Sequence, residues 1–208
     1  MKLSEKRFVD LLLAFRSSEP TPGGGSASAL SGAVGAALLA MVAGLPKPRL
    51  QEAADAARLS AAGARCGLLC ERLAMLMDGD SEAYDYVVEA FRLPKGTAEE
   101  KAERGVRIQE GLRLATEAPL DVMRACASAI TEALAVAACG NVNASSDVRV
   151  GLELLGAGLR GAKLNVDVNL ASIKDEVFTT AVRAEADRLA ASTKSVAAAA
   201  LARLEQAN

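Results

Sequence analysis

The sequence contains no histidine and no tryptophan, and only 3% of its residues are aromatic. Without imidazole, acid–base chemistry falls to Asp, Glu, Lys, Tyr or Cys, and no metal can bind through histidine. The few aromatic side chains provide no stacking platform for bases, and a formal net charge of −2 provides no basic surface for a phosphate backbone. These absences predict that the partners include no nucleic acid.

Cysteine is also scarce, because the chain has only four thiols and at this length needs no disulfide framework. Cys66 and Cys70 are four residues apart, on one helical face, but no second pair lies near them in the sequence. We therefore predict small buried thiols and no metal site.

The N-terminus carries both signs of charge and no long apolar stretch follows it, which predicts no signal peptide and a cytoplasmic location. The uncharged segment from Ser26 to Leu45 has the length of a membrane span, but only seven of its residues are strongly apolar. It is expected to be a buried helix, so no membrane partner is predicted.

What the sequence does contain favours an all-α fold, because 51% of the residues are hydrophobic and most of these are small or aliphatic. The length of 208 residues suits one helical domain over residues 1–208. We expect long antiparallel helices in an up-and-down bundle with a short N-terminal helix that docks as a lid or brace. Periodicity and breakers predict helices over about 4–16, 26–45, 50–91, 97–139 and 146–170, and a last helix from a cap at Ser172 and Asp175 to about 206.

Three local signals refine this pattern. Thr97 with Glu100 reads as a capping box, Gly79 is expected to weaken the third helix, and Pro119 is expected to kink the fourth. Small residues recur every four positions in the second helix, and they allow another helix backbone to approach closely: Ser28, Gly32, Ala36, Ala40 and Gly44. This ladder predicts packing against a long neighbouring helix or against the same helix of a second copy, and hence a homodimer.

The segment Pro20-Thr21-Pro22-Gly23-Gly24-Gly25-Ser26 is the most informative junction in the chain. The prolines forbid a helix before it, the glycines allow close backbone approach, and Ser26 suits an N-cap position. The N-terminus of the following helix would attract an anion through its free N–H groups. Taken alone, such a segment is more often simple turn chemistry than a ligand-binding loop.

Polar residues concentrate in three further places, and each has a structural alternative. Asp80 precedes Ser81, Tyr84 and Asp85 in a mostly apolar helix, although such a group is often a solvated stripe. A turn at 140–147 contains Asn141, Asn143 and Asp147, which are also common turn and cap residues. Asn165 and Asn169 lie one turn apart in an aliphatic helix, where they could form a buried polar network or the wall of a binding site for a heterocycle. The charged residues near them in the sequence are Lys163, Asp167, Lys174 and Asp175.

Taken together, these motifs resemble the cyclodeaminase/cyclohydrolase family of one-carbon folate metabolism. The resemblance covers nearly the whole chain and rests on the order and spacing of four motifs: 20–26, 80–84 with 92–95, 140–147, and 165–170 with 173–175. The chain departs from the family pattern at Val142, at Arg149 and over 46–49.

The resemblance implies an all-helical enzyme that forms dimers or larger assemblies and acts on the one-carbon bridge of tetrahydrofolate. It implies either hydrolysis of 5,10-methenyltetrahydrofolate to the 10-formyl form or cyclisation of 5-formiminotetrahydrofolate with loss of ammonia, with no cofactor beyond the folate substrate. The alternative is a non-catalytic helical protein that binds folate or another partner.

Specific roles are also expected from the resemblance. Asp80 or Asp147 would transfer the proton, with Asp175 in reserve. The remaining candidates would bind substrate: Gly23, Gly24, Gly25 and Ser26 around an anionic group, Asn141, Asn143, Asn165 and Asn169 at pterin edges or bridging nitrogens, and Lys163 or Lys174 near the folate carboxylates.

Overall fold

The computed structural model describes residues 2–46 and 52–206, and within these ranges it contains helices and no strand. Short 3₁₀ turns occur at Leu3–Glu5 and Val142–Ala144. The long elements are α1 (Phe8–Phe15), α2 (Gly24–Gly44), α3 (Ala53–Arg92), α4 (Ala98–Cys139), α5 (Ser145–Leu170) and α6 (Glu176–Gln206). The all-α prediction is confirmed; the predicted third-helix start at 50 and the departure at 47–49 lie outside the described residues.

Consecutive long helices run antiparallel, as expected for an up-and-down bundle. The N-terminal end of α2 meets the middle of α3 where Ser26 bonds to Asp80, whereas a Cβ on Gly63, near the start of α3, would meet Ala43 at the other end of α2. Similar cross-helix pairs orient the later helices: Arg65 with Glu132 for α3 and α4, Asn169 with Ala115 for α5 and α4, and Lys163 with Asp187 for α5 and α6.

The small residues of α2 allow close packing inside this chain. A Cβ on Gly32 would lie 2.6 Å from the Cys126 sulfur in α4, and one on Gly158 in α5 would lie 2.7 Å from the Ser28 carbonyl oxygen. The small residues of α2 therefore face α4 and α5, so their partners are long neighbouring helices of the same chain. Gly44 is an exception, since nothing lies within 4 Å of its Cβ position. Even the methyl group of Ala at Gly32 or Gly158 would therefore force these helices to shift.

One local expectation is corrected. Helix α1 begins at Phe8 and not at residue 4, because Arg7 has an extended backbone and a separate 3₁₀ turn precedes it. Helix α3 continues through Gly79, where α2 and α4 pack along it, so the weakening expected there stays a prediction. The capping box at Thr97 is confirmed by both of its hydrogen bonds.

By length and composition alone, α2 and α4 could each cross a membrane. In the bundle, 44% of the most apolar window of α2 and 61% of that of α4 are buried among other helices. Leu39 and Val42 of α2 and Met123 and Ile130 of α4 contribute to the same hydrophobic core. Core helices of helical bundles have this composition as well.

Candidate active site

A cleft of about 300 Å³ opens at the N-terminal end of α2. Its walls come from the turn before α2 and from three helices that meet there. The turn and the start of α2 contribute Pro20, Thr21 and Gly23 to Gly25, α3 contributes Asp80, Tyr84 and Val87, α4 contributes Leu112 and Ala115, and α5 contributes Asn165 and Asn169. Motifs that are far apart in the sequence therefore meet in one place.

The Asp80 carboxylate is held by the first turn of α2. One of its oxygens accepts a hydrogen bond from the Ser26 backbone N–H at 2.8 Å and lies 3.0 Å from the Ser26 hydroxyl. The hydroxyl also lies 3.0 Å from the Met77 carbonyl oxygen, and the Ser26 side chain is fully buried. The carboxylate thus caps the helix, a place where a negative charge is favoured.

Gly25 makes this approach possible. A Cβ at this position would overlap the carboxylate carbon and both oxygens of Asp80. A Cβ on Gly24 would instead make an ordinary contact, 3.5 Å from the Asn165 side-chain nitrogen. Of these two glycines, only Gly25 is required for the position of the Asp80 carboxylate, because only its Cβ would overlap that group.

Burial raises the pKa of Asp80 above its ordinary value, and the hydrogen bonds from Ser26 offset part of this effect. An upward shift of this kind is common for carboxyl groups that transfer protons in active sites. The other two candidates for proton transfer, Asp147 and Asp175, do not line the cleft.

Two backbone donors remain available beside the carboxylate. Gly24 and Gly25 are in the first turn of α2, where N–H groups have no partner within the helix, and neither donates to any described residue. The N-cap residue Gly23 has no side chain that could satisfy them. These two N–H groups can bind an oxygen or an anionic group at the edge of the cleft.

The α5 wall of the cleft carries the two asparagines. The Asn165 amide nitrogen donates to the Gly161 carbonyl at 2.9 Å, and the Asn169 amide nitrogen donates to the Ala115 carbonyl of α4 at 2.6 Å. Both side chains are partly buried. The expectation that the asparagines face the same site as Asp80 agrees with this arrangement.

The predicted turn residues Asn141, Asn143 and Asp147 lie at the other end of the bundle. The Asn141 amide donates to the carbonyl of Pro46, just beyond α2, and its oxygen accepts from the Asn143 N–H. Because α2 has 21 residues, this end is about 30 Å from Asp80. Within one chain, these three residues do not join the cleft.

Lys163, Lys174 and Asp175 also lie outside the cleft. Lys163 is two positions before Asn165, which places it on the opposite face of α5, where it pairs with Asp167 at 2.9 Å and with Asp187 of α6 at 3.0 Å. Lys174 is exposed, and its backbone N–H donates to Gln109. Asp175 accepts from the Phe178 N–H and pairs with Arg113, so it caps α6 as expected.

Sequence reasoning missed the apolar floor of the cleft. Val87, Leu112 and Ala115 had no distinguishing signal, since each belongs to a long amphipathic helix. Tyr84 lies one turn after Asp80, and this spacing does place it on the same face. It is the one aromatic side chain among the lining residues, and it is 39% exposed.

The described residues include no group of three or more His, Cys, Asp or Glu side chains arranged to hold a metal ion. Burial raises the pKa of Cys66 to about 12, and burial also raises the pKa of Cys70. Both thiols are therefore protonated at neutral pH, unlike thiolate ligands. The absence of a metal from the function stays a prediction.

Comparisons with known proteins agree on one family. A methenyltetrahydrofolate cyclohydrolase from Methylorubrum extorquens is 44% identical over 162 residues, or 78% of each chain. A formimidoyltransferase-cyclodeaminase from Sus scrofa is 36% identical over 91% of this chain, which spans 35% of that longer protein. A crystal structure of a formiminotetrahydrofolate cyclodeaminase from Thermotoga maritima has the same fold, with a TM-score of 0.87, 24% identity, and coverage of 99% of this chain and 98% of the other. Since the formiminotransferase-cyclodeaminase model also matches residues 7–188, the chain belongs to this family.

Proposed function

We propose that this protein is an enzyme of one-carbon metabolism that acts on the bridge between N5 and N10 of tetrahydrofolate. The observation that carries the proposal is the Asp80 carboxylate, which has a raised pKa and lies in a cleft with two free backbone N–H groups and a pair of amides. The names of the relatives indicate the substrate class.

In the hydrolytic reaction, water adds to the electrophilic carbon between N5 and N10 of 5,10-methenyltetrahydrofolate. Asp80 accepts a proton from the water as the new C–O bond forms. The hydroxyl group then loses its proton as the formyl C=O forms, and the carbon–N5 bond breaks with its electron pair going to N5. N5 takes the proton held by Asp80, and 10-formyltetrahydrofolate leaves with net release of the hydroxyl proton. The N–H groups of Gly24 and Gly25, in the first turn of α2, would bind oxygen near this carbon.

In the cyclising reaction, N10 attacks the carbon of the protonated formimino group of 5-formiminotetrahydrofolate, and the C=N electron pair moves to the terminal nitrogen. Asp80 would take the proton from N10 and return it to the terminal NH₂ group, which leaves as ammonia and gives the 5,10-methenyl cation. Both reactions pass through a tetrahedral carbon between the same two nitrogens, so one carboxylate serves either. Hydrolysis is the first candidate, because the cyclohydrolase relative is more similar and matches over an equal share of both chains.

A parallel assay separates the two reactions. Purified protein is incubated with each folate, and the methenyl chromophore is followed: its loss reports hydrolysis, and its appearance with ammonia reports cyclisation. Binding of either folate without turnover would support the alternative of a non-catalytic folate-binding protein.

The proton-transfer role is tested with Asp80→Asn, which should lower kcat by about 10²- to 10⁴-fold. Asp147→Asn, at the far end of the bundle, should have a smaller effect. Asp85→Asn is the matched control, since this carboxylate is exposed on the same helix and outside the cleft. Near-wild-type turnover by both Asp80→Asn and Asp147→Asn would contradict both assignments.

We also propose that the protein is a homodimer in which the outer face of α2 meets a second copy. This helix has no charged residue, and Val34 and Met41 on its outer face are 45% and 44% exposed. Val34→Glu should convert dimers to monomers in light scattering, whereas Val177→Glu, on the 82% exposed Val177 of α6, should not. A monomeric wild type, or a dimeric Val34→Glu variant, would contradict the proposal.

A further inference from the structure

The cleft contains a backbone carbonyl that a proline has left without its helical partner. In an α-helix, the carbonyl of residue 115 accepts a hydrogen bond from the N–H of residue 119. Residue 119 is a buried proline inside α4, and proline has no N–H. The carbonyl oxygen of Ala115, which lines the cleft, therefore needs another donor.

Asn169 supplies that donor from α5, with its amide nitrogen 2.6 Å from the Ala115 oxygen. A carbonyl oxygen can only accept, so the NH₂ group must face it and the amide oxygen must face away. The same argument orients Asn165, whose NH₂ group donates to the Gly161 carbonyl at 2.9 Å. No described residue donates to either amide oxygen.

The α5 wall of the cleft thus has two amide oxygens free to accept, and each NH₂ group keeps one further N–H. Asn165 and Asn169 are one helical turn apart, so their Cβ atoms are about 5–6 Å from each other. Two amide oxygens at this spacing can contact one edge of a fused heterocycle. The donors of the site, the N–H groups of Gly24 and Gly25, lie beside this wall, since a Cβ on Gly24 would be 3.5 Å from the Asn165 nitrogen. A flat ligand that reaches both sets of groups along one edge would pack against the apolar side chains of Val87 and Leu112.

We propose that Asn165 and Asn169 determine specificity by accepting hydrogen bonds from the amino group and ring N–H of a 2-amino-4-oxopteridine, with Pro119 as the residue that sets the orientation of Asn169. This inference rests on the proposed folate function. It predicts which edge of the ring lies against α5, and it leaves the one-carbon bridge to the wall that carries Asp80. A pteridine that lacks the 2-amino group would leave an oxygen of this wall without a donor.

The test compares 5,10-methenyltetrahydrofolate with its 2-deamino analogue. For the wild type, kcat/KM should be at least about tenfold lower with the analogue, because a lost hydrogen bond leaves a partly buried acceptor unsatisfied. Asn165→Ala and Asn169→Leu should raise KM for the natural substrate and bring the two substrates to within about threefold of each other. Val168→Ala, on the exposed neighbouring position, should keep the wild-type ratio.

Pro119→Ala tests the orienting role. It returns an N–H to residue 119, so that the helix itself can satisfy the Ala115 carbonyl and the Asn169 amide becomes free to turn over. The preference for the 2-amino substrate should fall in this variant while Asn169 is still present. An unchanged preference in Pro119→Ala, with α-helical content retained in circular dichroism, would show that the proline does not set the orientation.

Calorimetric binding of tetrahydrofolate and its 2-deamino analogue distinguishes failure of this inference from failure of the proposed function. Preferential binding of the 2-amino form that is lost in Asn165→Ala, without turnover, would support the inference and refute the enzyme. Turnover of both forms with equal efficiency by the wild type would overturn the inference and leave the enzyme intact. Binding of neither form would overturn both.

Discussion

Gly25→Ala is the most direct perturbation of the site, because it adds a single carbon where the Asp80 carboxylate now lies. The added Cβ would overlap three atoms of that carboxylate. Asp80 is fixed to α3, but its side chain can rotate, so we expect the carboxylate to swing away from Ser26 and the fold to persist. The hydrogen bond from the Ser26 N–H, now 2.8 Å long, would be lost.

The size of the effect follows from that lost bond. A hydrogen bond to a charged group contributes about 1.5–3 kcal/mol, and a helical Ala is favoured over Gly by about 1 kcal/mol. The net loss in free energy of unfolding should therefore be only about 0.5–2 kcal/mol. Activity should suffer more, since a displacement of about 1 Å in a reacting group costs about 10²-fold in rate.

The measurement is kcat/KM from the methenyl chromophore together with urea unfolding of the same preparation. Gly79→Ala is the matched control, because it lies next to Asp80 in α3 and nothing is within 4 Å of its Cβ position. It should keep wild-type activity and gain up to about 1 kcal/mol of stability. A Gly25→Ala enzyme within twofold of wild-type kcat/KM would refute the assignment of Asp80 as the proton-transfer group held by this turn.

Two further predictions concern pH and packing. A carboxylate base works only when ionised, so kcat/KM should fall as the pH drops through the pKa of Asp80, which is raised above the value of about 3.9 for an ordinary Asp. Ser26→Ala removes a hydrogen bond that lowers this pKa, so the acidic limb of the pH profile should move to higher pH. A shift of that limb to lower pH would contradict the account. Gly35→Ala should lower the urea midpoint, since its Cβ would lie 2.6 Å from the Gly151 carbonyl oxygen of α5 and overpacking costs about 1–3 kcal/mol. Gly67→Ala, with open space at its Cβ position, should show no such loss, and equal midpoints for the two variants would refute the packing argument.

Several features of the fold could be predicted because their causes are local. The capping box at Thr97 needs only residues three apart, and the cap at Asp175 needs only the start of the next helix. The weakening expected at Gly79 does not interrupt α3, because a local propensity of about 1 kcal/mol is small beside the packing along this helix. The small-residue ladder predicted close approach correctly but left open whether its partner was a neighbour or a twin.

The candidate site could be predicted only in part. Asp80, Asn165 and Asn169 were selected from their spacing and setting, and they line one cleft. Asn141 and Asp147 were selected on similar grounds, yet they lie about 30 Å away within the chain. Helical periodicity tells which residues share a face, but it does not tell which end of a bundle a polar turn joins.

The sequence by itself determined the class of fold, the order of the helices and the family, because these depend on composition, on periodicity and on motifs within short stretches. Only the tertiary structure decided which groups meet. The sequence shows that the Ala115 carbonyl lacks a helical donor, because residue 119, four positions later, is a proline. Its actual donor, Asn169, is 54 residues away in the sequence. The contact exists because α4 and α5 run antiparallel, and the hydrogen-bonding needs of one helix thereby orient a side chain of the other.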